Sequence, residues 1–110
     1  MRLFRPVGQK ELVLIRDSGW RAFPPRLPEQ PIFYPVLNYE YACQIATKWN
    51  TTHGVVTFEI EDEYIDGFDV NTVGSSIHQE YWIPAEALCE FNSHIIGLIE
   101  LVKVSEDESI

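Results

Sequence analysis

Positive charge is what this chain has least of, and it is almost missing from the second half. Arg2, Arg5, Lys10, Arg16, Arg21, Arg26 and Lys48 all precede residue 56, and Lys103 stands alone after it. Most of the seventeen Asp and Glu fall in residues 56–110, leaving a formal net charge of −9. Such a surface repels a phosphate backbone, which counts against general nucleic-acid binding but leaves room for a local basic pocket. Long apolar runs are absent too: nothing approaches the roughly 20 residues that cross a bilayer. The start, "MRLFRPVGQK", has no apolar stretch long enough for a secretory signal. A cytoplasmic protein without membrane contact is the expectation.

Metal and phosphate motifs are also lacking. Cys43 and Cys89 form no C-x-x-C pair, fall in stretches that read as helix, and are expected to be buried reduced thiols. His53, His78 and His94 lack metal-ligand spacing, so no zinc site is expected. "EIEDEYIDGFD" lacks the alternating ligands of a calcium loop and reads as a charged turn. There is no G-x-S-x-G, no phosphate-binding glycine loop and no G-x-G-x-x-G.

What the chain does have is proline concentrated in one place. "RAFPPRLPEQPIFYP" (21–35) holds Pro24, Pro25, Pro28, Pro31 and Pro35 among Phe23, Leu27, Ile32, Phe33 and Tyr34. A linker would be polar and would separate two domains, yet only about twenty residues precede this stretch. Pro25-x-x-Pro28 has the spacing that aromatic grooves recognise, but the apolar residues after it favour packing. The reading is a rigid, ordered loop clamped over a sheet, where proline lowers the entropy cost of holding it. "IFYPVL" within it reads as extended.

Around that loop the pattern gives β-α-β-α-β-β-β-α-β. "RLFRPV" is a strand, and "GQKELVLIRDSG" a helix with Leu12 and Ile15 inward and Gly19 ending it. Asn38 suits the N-cap of "YEYACQIATKWN", whose apolar face is Ala42, Ile45, Ala46 and Trp49. "GVVTFEIE" is a strand, and "DEYIDGF" a single turn. Strands on either side of Gly74-Ser75-Ser76 form a hairpin. Pro84 opens the helix "PAEALCEFNSHI", with Leu88 and Phe91 inward, and "IIGLIELVKV" returns as a strand. The expected fold is α+β, a small, twisted, mostly antiparallel sheet with about three helices. Residues 1–104 are expected to form one domain and "SEDESI" (105–110) a flexible acidic tail.

One stretch carries chemistry. In "IHQEYWIPAEAL", His78, Glu80 and Trp82 share one face of a strand, and Ile77, Gln79, Tyr81 and Ile83 the other. Both faces carry large groups, so the strand reads as central, and an acid there needs a partner or a role. Pairing with an early arginine and catalysis both meet that need.

"RPVG" (5–8), "AFPPRLPEQPIFYPVLN" (22–38), "YACQIATKWN" (41–50) and "HQEYWIPAEAL" (78–88) resemble a family of short bacterial proteins often labelled "ADP-ribosylation/crystallin J1". The resemblance covers nearly the whole chain. ADP-ribosylglycohydrolases proper are larger, all-helical and metal-dependent, which this short, strand-rich chain does not match. The element order is similar instead to a minimal ADP-ribosyltransferase fold. Mapped by order, the resemblance implies Arg5 on the first strand, Tyr34 in the middle and Glu80 on the late strand, with His78, two residues before the Glu, choosing the acceptor. The Ser-Thr-Ser stretch of that family is absent, and Pro35 follows the aromatic.

The implied substrate is NAD, without a metal. Glu80 would stabilise the ribose cation formed when nicotinamide leaves. Arg5, with Arg21 or Arg26, would hold the phosphates through forked donors. Tyr34 or Phe33 would stack on the nicotinamide ring. Glu80 is expected in a cleft within reach of Arg5. The alternative, from another class, is a non-catalytic acidic interaction module that masks a basic protein surface, as an immunity protein or antitoxin would.

Overall fold

Alternation in "RLFRPVG" makes β1 (Arg2–Gly8) two-sided: Leu3, Arg5 and Val7 turn to one side, Phe4 and Pro6 to the other. In the computed structural model, which describes residues 1–26, 31–48, 52–72 and 78–104, this strand lies near the middle of an antiparallel sheet. Strand β3 (Thr52–Ile60) pairs with β1 on one side and with β7 (Ile95–Val104) on the other, so β7 ends that side of the sheet.

Val36 extends the sheet beyond the other side of β1. Its N–H donates to the Phe4 carbonyl (2.8 Å), and its carbonyl accepts the Phe4 N–H (2.9 Å). Val36 in turn faces Glu80. Around it, β2 (Ile32–Phe33) pairs with β6 (Ile83–Pro84), and β5 (Gln79–Tyr81) pairs with β4 (Val70–Thr72). The register between 31–37 and 79–85 is unbroken. Ala85 N–H donates to the Pro31 carbonyl (2.8 Å), Tyr81 N–H to that of Pro35 (2.9 Å) and Leu37 N–H to that of Gln79 (3.1 Å).

The extended reading of "IFYPVL" holds, and the placement of the stretch over the sheet is refined: Ile32–Phe33 pair with β6, and Val36 bridges Phe4 and Glu80. Proline is rare there because it has no N–H for the ladder. Pro31 and Pro35 take part through their carbonyls alone. Residues 27–30, including Pro28 of the Pro-x-x-Pro pair, lie outside the described residues, as do the turn at 74–76 and the tail 105–110.

Helix α1 (Gln9–Asp17) and the segment after it cover one face of the sheet. Gly19 (φ 80°) and Trp20 (φ 64°) then turn the chain, and the Trp20 carbonyl accepts the Ile99 N–H of β7 (2.7 Å). The Asn92 side chain holds Phe23 twice, accepting its N–H (2.9 Å) and donating to its carbonyl (3.0 Å). The main core lies beneath: Leu3, Ile15, Phe23, Phe33, Phe58, Ile65, Tyr81, Ile83, Leu88, Phe91 and Ile99. Ile65 comes from the single turn α3 (Asp62–Ile65). Leu88 and Phe91 come from α4 (Leu88–Ser93). That helix starts later than its sequence suggests, because Pro84 is used by β6 and Ala85–Ala87 form a turn of 3-10 helix.

Helix α2 (Tyr39–Lys48) covers the opposite face, packing Ala42 with Val36 and Val55. Asn38 Oδ1 accepts the Tyr41 N–H (3.2 Å), the expected N-cap bond. Trp49 lies outside the described residues. Cys43 is half-buried and Cys89 is exposed, and neither forms a disulfide. The expectation of buried thiols fails at Cys89 because the inward positions of α4 are Leu88 and Phe91, and Cys89 lies one step round from Leu88. The molecule is thus α+β, with helices on both faces of antiparallel strands. Among the described residues no helix is long and apolar enough to cross a membrane.

Candidate functional site

The period of two along 78–83 sorts the side chains. Tyr81 and Ile83 enter the main core, while His78, Glu80 and Trp82 project on the α2 side. Tyr34, opposite Trp82 in the register, joins them. The two rings meet edge to face, with centroids 6.1 Å apart and planes at 87°. Both stay open to solvent, Tyr34 at 40% and Trp82 at 48%.

Glu80 lies between these rings and α2. The Trp82 indole N–H donates to Glu80 Oε1 (3.0 Å), and the Tyr41 hydroxyl donates weakly to Oε2 (3.4 Å). The Tyr41 ring stacks on His78 with centroids 4.5 Å apart. His78 Nε2–H donates to Gln44 Oε1 (2.8 Å). Two donors thus fix the carboxylate while leaving it lone pairs to spare. Tyr41 and Gln44, three residues apart on α2, were missed in the sequence. Their signal is their position beside the apolar stripe of that helix.

The other expected site residues are elsewhere. Arg5 is buried on the main-core face and forks onto Glu11 of α1, with Nε 2.7 Å from Oε2 and an Nη 3.0 Å from Oε1. Its guanidinium lies over the Phe33 ring, 4.6 Å from the centroid, and that of Arg26 lies 5.9 Å from the same centroid. Burial, then the charge of Arg5, pushes the Arg26 pKa below its ordinary value, while Glu11 and Tyr34 act the other way. Phe33 is fully buried, so its face meets Arg5 and the core. Arg21 is exposed, and its backbone N–H donates to Ser18 Oγ (3.2 Å).

The expected residues therefore divide between the two faces of the sheet. Glu80, His78 and Tyr34 lie with Trp82 on the α2 side; Arg5 and Phe33 lie with Glu11 on the α1 side, and Arg26, beside Phe33, is within electrostatic reach of both Glu11 and Tyr34. The expectation that Glu80 reaches Arg5 is corrected by the register. Glu80 faces Val36 and Val36 faces Phe4, so Glu80 projects where Phe4 does. Arg5, one residue on, points the other way. Among the described residues no group of three His, Cys, Asp or Glu could hold a metal ion.

Burial is the largest cause raising Tyr41, Tyr64 and Tyr81 above the ordinary 10.0, and Glu80 adds to it at Tyr41. A phenol raised in the fold contributes stability that is fully present below its unfolded pKa of about 10 and is lost as pH rises through the higher folded value. Urea midpoints should therefore fall as pH climbs above about 10, and Tyr41→Phe should remove part of that fall. An unchanged fall in the variant would mean that Tyr41 ionises as freely as in water.

Comparisons of the chain with protein-family models, with curated proteins and with solved structures give no match.

Proposed function

We propose that the protein is a non-catalytic recognition module that binds a basic segment of a protein partner, as an immunity protein or antitoxin does. One observation carries this reading: a fixed carboxylate, Glu80, stands beside two exposed rings, Tyr34 and Trp82. The net charge of −9 supports it, since a field of one sign speeds the approach of an oppositely charged partner.

A second reading is an ADP-ribosyltransferase acting on NAD. It is favoured by His78, Glu80 and Tyr34 sharing one face, where a ring could stack on nicotinamide and the carboxylate could meet the ribose cation. That reading needs cations for the phosphates beside Glu80, and Arg5 is committed to Glu11 on the far face. The recognition reading therefore stands first.

Calorimetric titration with basic and acidic peptides, at low and high salt, tests the two together. The module should bind only the basic set, more weakly as salt screens the pair. A melting temperature raised by NAD, with release of nicotinamide, would replace the module with the transferase.

A further inference from the structure

We propose that Glu80, Trp82 and Tyr34 form a receptor for one arginine side chain of the partner. The inference rests on the reading of a basic partner and names the group that the site selects.

The molecule contains its own template. On the α1 face, Arg5 stacks over the Phe33 ring and forks onto Glu11. The α2 face repeats the aromatic and carboxylate parts of that unit with Trp82, Tyr34 and Glu80. Among the residues whose side chains are described, no lysine or arginine ion-pairs with Glu80. The two units differ in exposure: Glu11 is covered by its arginine, whereas the rings beside Glu80 are open.

Geometry selects the cation. Ring planes at 87° make a two-walled corner, with the carboxylate bordering it. A quaternary ammonium needs enclosure on more sides, because it has no N–H to give a carboxylate. A lysine ammonium can pair with Glu80 but has no plane to lay against a ring. Guanidinium does both at once, stacking flat on one ring while its fork meets the carboxylate edge. The Trp82 and Tyr41 donors hold that carboxylate in place before the ligand arrives.

The test uses the full chain labelled with ¹⁵N. Trp20, Trp49 and Trp82 give three indole N–H signals, and Trp82→Phe identifies the one that donates to Glu80. N-acetyl-arginine amide should move the Trp82 signal saturably, in roughly the millimolar range expected of one exposed cation contact. The citrulline analogue, neutral but of the same shape, should not move it, and the lysine analogue should bind more weakly. Glu80→Gln keeps the shape, and Tyr34→Ala alters an exposed ring; each should weaken arginine binding roughly five- to tenfold.

Equal binding of citrulline, or no loss in Glu80→Gln, overturns the proposal. Tighter binding of trimethyl-lysine overturns the choice of arginine. If lysine-only peptides bind at full strength while the Trp82 signal stays still, the arginine site falls and the module stands. If the arginine amide moves that signal but basic peptides bind no better than it does, the site stands and the protein-partner reading falls.

Discussion

Phe33→Ala should cost on the order of 4 kcal/mol, a large share of the roughly 5–15 kcal/mol that holds a domain together. The ring is fully buried, with centroids 4.8 Å from Phe23 and 5.5 Å from Phe91. Phe58 touches both of those rings, so one truncation opens a void at the meeting point of four aromatics. It also removes the surface under the Arg5 guanidinium. Urea unfolding followed by near-ultraviolet circular dichroism reads the loss, and Phe33→Leu, which leaves a smaller void, should cost well under half as much. If Phe33 stacked on a ligand, the order would reverse: Phe33→Ala would melt normally and bind poorly. Normal melting would show that the ring is not core.

The second large effect concerns the pair on that ring. Glu11→Ala should destabilise by about 3 kcal/mol, because it leaves Arg5 charged in a place where water reaches it poorly. It also leaves the Arg5 and Arg26 guanidiniums over one ring with less negative charge between them. Replacing the pair together, as Arg5→Met with Glu11→Leu, removes the stranded charge and should return stability to within about 1 kcal/mol of the starting protein. The double-mutant cycle measured by urea unfolding separates the cases. A double variant as unstable as Glu11→Ala would mean that the loss comes from packing and not from the charge.

The sequence made the order of elements readable, because each depends on residues close together in the chain. Asn38 before an apolar stripe, Leu88 and Phe91 on one side of a helix, and alternation through 78–83 are all local signals. The face on which Glu80 lies relative to Arg5 is not local. It depends on Val36 pairing with both Phe4 and Glu80, three segments whose mutual register no single stretch encodes. "IFYPVL" reads as extended, but its prolines suggested a loop over the sheet and hid which segments it meets. Once the segment is seen as a strand, its period of two separates Phe33 from Tyr34: one is core and the other is surface, although both read equally well as stacking rings. The choice of Arg5 as a ligand failed to anticipate its partner for a related reason, since Glu11 approaches only after α1 folds back over β1.

Strand β7 ends its side of the sheet, and it carries Ile96, Leu98, Leu101 and Val102 exposed along a ten-residue run. A long apolar edge of this kind is a template on which another chain can add itself as a strand. The Trp20 carbonyl occupies the outward N–H of Ile99, in the middle of that run, and it reaches there because Trp20 accepts a left-handed backbone that few bulky residues adopt. The turn after α1 thus does more than end a helix. Among the described residues it interrupts that edge at its centre, where a strand added by another chain would need the same N–H, so the backbone of residue 20 acts against edge-to-edge pairing.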